Sequence, residues 1–247
     1  MKIITSTLSA LATLITLFAP AWASDLEEMI VLSDQYPPYN YQDKNGRHTG
    51  FAVELLDQAY RAAGAKLDRE KIRMQPWPRS YKQVQREDNI ILLSMTRTAE
   101  REPLFTWVGP ITTTRIGLIA KKSRNIKIDK KEDILNYVIG GNPENIGVQL
   151  VEELLGDKAN IQITPHPESL VHMLDLERFD LWAYEEYSSS QVFKDFGFNP
   201  DDYASVYTLR ESEIYYALNL NTDPAVVEAL QHAIDEIKAR ETGLSQN

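Results

Sequence analysis

Two hydroxyls and a guanidinium stand close together in SMTRTAERE: Ser94, Thr96 and Arg101, directly after the apolar run IILL. An arginine presents a planar fork that matches a carboxylate, and hydroxyls complete the shell around such an anion. The spacing therefore points to a carboxylate site, with a surface turn in which Arg101 pairs with Glu100 or Glu102 as the alternative. A second group is aromatic. Tyr36, Tyr39 and Tyr41 crowd the loop SDQYPPYNY, and Trp77 lies in QPWPRS. These rings suit the apolar wall of a ligand site. They also suit turn aromatics whose hydroxyls reach water, in a loop stiffened by Pro37 and Pro38. The third group is acidic: Glu185 and Glu186 follow FDLWAY, where a carboxylate can receive an ammonium, do acid–base work, or simply stay solvated.

Other chemistries find little support. GGNPENIG opens a helix after a strand, so its backbone N–H groups can hold an anion, but it has neither the GxGxxG nor the GxxxxGK[ST] spacing of nucleotide sites. His48, His166, His172 and His232 show no metal-ligand spacing. No serine sits in a GxSxG elbow. Trp107 and Trp182 lie in or beside strand-like runs and read as core residues. The chain has no cysteine, which excludes disulfides, thiolate catalysis and a lipid-modified N-terminal cysteine. Neither a cofactor nor a metal is implied.

Short β-rich runs alternate with helical patterns. MIVLSD, a helix from Phe51, IRMQPW ending at Trp77, a short helix from Tyr81 to Arg86 and NIILLSMT form one set. NYVIGG, a helix from Glu144 to Leu155, IQITPH, a helix from Glu168 to Leu176 and FDLWAYE form another. This alternation marks mostly parallel sheet covered by helices. The segments ITTTRIGLIAKK and ESEIYYALNL read as extended joins between two α/β units. A closing helix carries Val226, Val227, Leu230, Ala233, Ile234 and Ile237 along one face. In open α/β sheets the ligand sits beyond the carboxyl ends of the strands, which is where the tyrosine loop, QPWPRS, SMTRTAERE, GGNPENIG and WAYEE fall.

At the N-terminus, Lys2, an apolar run over residues 3 to 18 and Ala21-Trp22-Ala23 read as a secretory signal cleaved after residue 23. The apolar run is shorter than the roughly 20 residues a membrane span needs. The expected location is the periplasm. A formal net charge of −10 argues against nucleic acid or an anionic membrane as partner.

YPPYNYQDKNGRHTGFAVELL, SMTRTAEREPLFTWVGPI and RFDLWAYE resemble the corresponding segments of the periplasmic solute-binding proteins of the polar amino acid type, extracytoplasmic family 3. The resemblance spans the mature chain and implies a type II periplasmic-binding-protein fold. In that fold two α/β lobes are joined by two extended hinge crossings, here residues 24–112 with 217–247, and 113–216. It further implies Tyr36 or Tyr39 as a cover over the ligand, Ser94, Thr96 and Arg101 as carboxylate binders, and Glu185 as the amine acceptor. The implied partners are a small-molecule ligand and an ABC permease in the inner membrane, with the chain itself expected to be a monomer. The chain departs from the family pattern in GGNPENIG, in Glu185 where Asp is usual, and in QPWPRS with Trp77 and Arg79. A periplasmic dehydratase or lyase on the same fold, and a sensing module for a membrane receptor, are the competing readings.

Overall fold

The computed structural model describes residues 21–244. Residues 1–20 of the expected leader lie outside the described residues. Helix α1 (Ala21–Glu27) begins the described chain, with Ala23 and Leu26 buried. Strand β1 (Ile30–Ser33) follows, then a small hairpin of β2 (Tyr41–Gln42) and β3 (His48–Thr49), and helix α2 (Phe51–Ala62). Next come β4 (Arg73–Met74), α3 (Trp77–Arg86), β5 (Ile90–Thr96) and β6 (Thr106–Lys121). The chain continues through β7 (Ile139–Gly141), α4 (Ile146–Leu155), β8 (Ile161–Ile163), α5 (Pro167–Asp175), β9 (Leu181–Glu185) and α6 (Glu186–Asp195). It ends with β10 (Tyr203–Leu218) and α7 (Pro224–Leu244).

Eight strands form one sheet in the order β4-β1-β5-β10-β6-β9-β7-β8. Two parallel trios, β4-β1-β5 and β9-β7-β8, flank a long antiparallel pair, β6 and β10, of 16 residues each. Each trio is fed by helical crossovers, as parallel neighbours require. The long pair passes from one trio to the other, and β10 starts well before the expected ESEIYYALNL. The positions 112/113 and 216/217 fall inside β6 and β10.

The helical periodicities become burial. On α2, Ala52, Val53, Leu56, Ala59 and Tyr60 face inward; on α7, Val226, Leu230, Ala233, Ile234 and Ile237 do so, and both helices pack on the same core. Truncating Leu56 to Ala there would cost about 2–5 kcal/mol. A separate core around Trp182, Phe179 and Phe193 belongs to the second trio. Tyr36 packs against both.

Two expected elements differ. Trp77 does not end a strand: β4 stops at Met74, and Trp77 is the first residue of α3, with Pro78 in the first turn. Proline suits that position because its missing N–H would be unpaired there anyway. Likewise α4 starts at Ile146 rather than Glu144, since Asn145 caps it by accepting from Gly147 N at 2.8 Å. Among the described residues no helix is long and apolar enough to cross a membrane.

Candidate functional site

The tyrosine loop is held by its own backbone. Pro38 and Tyr39 carbonyls accept from Phe51 N at 3.0 Å and Ala52 N at 2.8 Å, so the loop satisfies the free N–H groups at the start of α2. This close approach requires Gly50, with φ 111° and no room for a Cβ, which would meet the Tyr39 carbonyl oxygen at 2.5 Å. Gly147 plays the same part on the other side: a Cβ there would meet Ala183 O at 2.3 Å, so the glycine lets the start of α4 sit against β9. These two contacts bring the loop after β1 and the turn before α4 toward the same space.

That space is a cavity of about 30 Å³. From the first trio Asp34, Tyr36, Trp77, Ser94, Thr96 and Arg101 line it; from the second, Asn145, Ile146 and Tyr184. The structure thus brings together five of the seven expected residues.

Arg101 is its centre. The side chain is only 1% exposed, which rules out the surface-turn alternative. Arg97 instead takes Glu102, with both carboxylate oxygens at 2.6 Å. Arg101 Nη1 donates to Thr96 O at 3.1 Å and Nη2 to Glu144 O at 2.9 Å, while its guanidinium lies over the rings of Trp77 and Tyr81 at 5.8 and 5.4 Å. Its Nε has no hydrogen-bond partner, and no carboxylate of the described residues lies within ion-pair distance of it. Burial pulls the guanidinium below the ordinary arginine range, with Tyr81 and the more distant Glu144 and Glu100 opposing. A buried cation held by neutral carbonyls and π faces is what an incoming anion would complete.

Ser94 adds a second unmet group. Its Oγ is buried without a partner, and its backbone takes φ 56° although it is not glycine. Such a conformation costs of order 1–3 kcal/mol and clusters at binding sites. Glu144, across the cavity, also has φ 59°, and its carbonyl receives Trp77 Nε1 at 2.9 Å as well as Arg101. Ser188 Oγ on α6 donates to Pro37 O at 2.6 Å, a further link between the second half and the tyrosine loop of the first.

Asp34, half-buried just beyond β1, brings a carboxylate to the same cavity. Burial pushes its carboxyl up to about 6 despite the hydrogen bond from Asn40 Nδ2 to Oδ1 at 3.1 Å. Tyr36 and Tyr184 meet edge to face at 6.1 Å beside it, and burial raises both phenols above their ordinary range.

The other two expected residues lie elsewhere. Glu185 is 2% exposed, and its Oε2 accepts from Ser188 N at 2.6 Å, capping α6. Tyr39 hydrogen-bonds the same carboxylate, and the pair borders a separate depression with Thr112, Thr114 and Tyr187. Tyr39 therefore does not cover the Arg101 cavity, and Glu185 does not reach it. Sequence reasoning missed Asp34, Asn145 and Tyr184. The available signals were the carboxyl end of a parallel strand for Asp34, the turn GGNPENIG for Asn145, and the alternation of FDLWAYE for Tyr184.

A two-lobed α/β architecture with a polar cavity between the halves is the arrangement of a solute-binding protein. The profile of the bacterial extracellular solute-binding proteins, family 3, matches residues 29–243, and the chain belongs to that family. Among curated proteins none matches the sequence. Solved structures share the fold. A mutant of ArgBP from T. maritima superposes with a TM-score of 0.75 at 17% identity, covering 90% of this chain and 95% of its own. A histidine kinase sensor domain with similarity to periplasmic binding proteins gives 0.74 at 18% identity, over 90% and 94% of the two chains. The amino acid ABC transporter substrate-binding protein AbpA from Streptococcus pneumoniae, bound to L-arginine, gives 0.71 at 19% identity, over 86% and 89%. The fold is that of the type II periplasmic binding proteins, two α/β lobes joined by two extended crossings.

Proposed function

We propose that the chain captures a small zwitterionic solute, an amino acid or a related compound, between its two halves and presents it to an ABC permease from the periplasm, after removal of the leader through Ala23. The observation that carries this reading is Arg101: a buried guanidinium with an unpartnered Nε beside the unpartnered hydroxyl of Ser94. A ligand carboxylate fits both, with Thr96 alongside. The ligand ammonium falls to Asp34 rather than Glu185, whose carboxylate is committed to the start of α6. Tyr36 and Trp77 supply the apolar faces. In this reading residues 24–112 and 217–247 form one lobe and 113–216 the other, and they move about β6 and β10.

Binding is favoured over turnover. Asp34 is the only carboxylate among the cavity's lining residues, and the phenols of Tyr36 and Tyr184 resist ionisation. No pair of groups with separated acid and base roles faces the ligand.

The test is a thermal-shift screen of the mature protein against amino acids, polyamines and simple carboxylates, repeated with Arg101→Ala. A ligand at 100 times its Kd stabilises by about 2.7 kcal/mol. The expected result is stabilisation by carboxylate-bearing amines only, lost in Arg101→Ala, with the ligand recovered unchanged by NMR. Stabilisation by polyamines that survives Arg101→Ala would overturn the reading, and steady conversion of the ligand would replace it with an enzyme.

A further inference from the structure

The Arg101 cavity is too small for a whole amino acid. At about 30 Å³ it has room for about two waters, the size of a carboxylate group. The remainder of any ligand must leave through the neighbouring chamber, which measures about 340 Å³ and shares Asp34, Trp77, Asn145 and Tyr184 with the small cavity. Asp34 thus stands where the two spaces meet.

The chamber's chemistry differs from that of the inner cavity. Pro76 and Pro78 face it from the start of α3, Pro165 and Pro167 from the start of α5, with Met74 and the Trp77 ring between them. Proline fixes its own backbone angle, so these walls are preformed and apolar. Asp34 is the sole carboxylate among the chamber's lining residues. One acid can match one cation. A ligand with a cationic side group would place its second charge in a chamber that offers no second carboxylate, where an unpaired charge is disfavoured. The chamber's other polar lining residues are Gln35 and Asn145, which accept from Gln42 N and Gly147 N, Gln75, which donates to Gln83, and the exposed His166; Asn142 differs in being buried, donating through Nδ2 to Thr164 O at 3.2 Å and leaving Oδ1 without a partner. It can accept one hydrogen bond.

From this charge count and shape, resting on the zwitterion reading above, we infer that the preferred ligand carries one carboxylate, one ammonium and a bulky uncharged side group with a single N–H or O–H donor. The carboxylate sits at Arg101, the ammonium at Asp34, and the side group between the two proline pairs with its donor on Asn142 Oδ1. Among the common amino acids, the indole of L-tryptophan has this form: a large apolar body and one N–H that only donates.

Titration calorimetry of the mature protein with L-tryptophan, L-phenylalanine, L-alanine and L-arginine tests this. L-tryptophan is expected to bind at least tenfold more tightly than L-alanine or L-arginine, and more tightly than L-phenylalanine. Asn142→Ala should remove the preference over L-phenylalanine, and Met74→Trp, which fills the chamber, should weaken L-tryptophan at least tenfold and L-alanine by a smaller factor. If L-arginine or L-alanine binds best and Arg101→Ala abolishes that binding, the chamber inference is overturned and the zwitterion reading stands. If none of the four binds, the chamber inference is overturned; if binding survives Arg101→Ala, both fall.

Discussion

Arg101 Nη2 donates across the cavity to the carbonyl oxygen of Glu144 at 2.9 Å. The donor lies after β5 and the acceptor in the turn before α4, so one hydrogen bond joins the two parallel trios at the place proposed for the ligand. A ligand carboxylate would give the unpartnered Arg101 Nε a charged acceptor, adding the ion-paired hydrogen bond that the neighbouring carbonyls do not supply.

Arg101→Ala should therefore abolish high-affinity binding without unfolding the protein. Loss of a hydrogen bond to a charged group costs about 1.5–3 kcal/mol, equivalent to an affinity loss of about 10- to 150-fold. Calorimetry with the best ligand of the screen measures it. The ligand-free protein should keep its circular dichroism spectrum, because the guanidinium it loses was buried without a counter-charge.

For Glu185 the expectation is reversed. Glu185→Ala removes the cap of α6 and the partner of Tyr39, which should cost about 0.5–2 kcal/mol of stability by the capping loss alone. Affinity for an ammonium-bearing ligand should stay within about twofold, since the carboxylate does not line the Arg101 cavity. A denaturant melt and a binding isotherm on the same preparation separate the two effects. A large loss of affinity with unchanged stability would return Glu185 to the ligand.

The contrast between Asp34 and Glu185 indicates which features the sequence makes legible. Amphipathic spacing placed Val226, Leu230 and Ile234 on a buried helical face because period 3.6 is a local property. The fold class followed from the alternation of such segments, and the hydroxyl–arginine cluster from residue type at a strand end. Glu185 looked like a ligand group because it ends a strand. Its capping role depends on where the next helix begins, and a terminus is set by a single residue. Asp34 also ends a strand, yet nothing local distinguishes it from a solvated aspartate; its environment comes from Tyr184, 150 positions away in sequence. Trp77 was misplaced because Pro76-Trp77-Pro78 resembles extended chain, although proline in a first turn also starts a helix.

Trp77→Phe tests the link between the halves. Trp77 Nε1 shares the Glu144 carbonyl with Arg101, and phenylalanine keeps an aromatic face for the guanidinium while deleting that donor. The ligand-free variant should spend more time open, giving a larger radius of gyration by small-angle scattering than the wild type. Saturating ligand should bring both to the same compact value, as lobe closure about a hinge requires. Equal ligand-free values would show that this hydrogen bond does not hold the halves together.

Asp34 makes the protein's stability and its binding depend on pH in opposite senses. Its carboxyl is raised by burial to about 6, against about 3.9 in an unfolded chain. The folded state therefore holds the proton more tightly, and the contribution is fully present below about pH 4 and lost as pH rises through 6. At neutral pH the ionised, half-buried carboxylate costs the ligand-free protein up to about 3 kcal/mol. Asp34→Asn removes that cost, so its melting temperature should exceed the wild type's by a margin that grows between pH 4 and pH 7. Binding runs the other way. An ammonium beside Asp34 favours the ionised form and draws its titration downward, so the ligand should bind more weakly below pH 6 and release protons when it binds near that pH. Calorimetry in two buffers of different ionisation enthalpy counts those protons. Asp34→Asn should abolish the release and weaken binding at least tenfold. A margin in melting temperature that stays flat with pH, together with proton-neutral binding at pH 6, would remove Asp34 from the site.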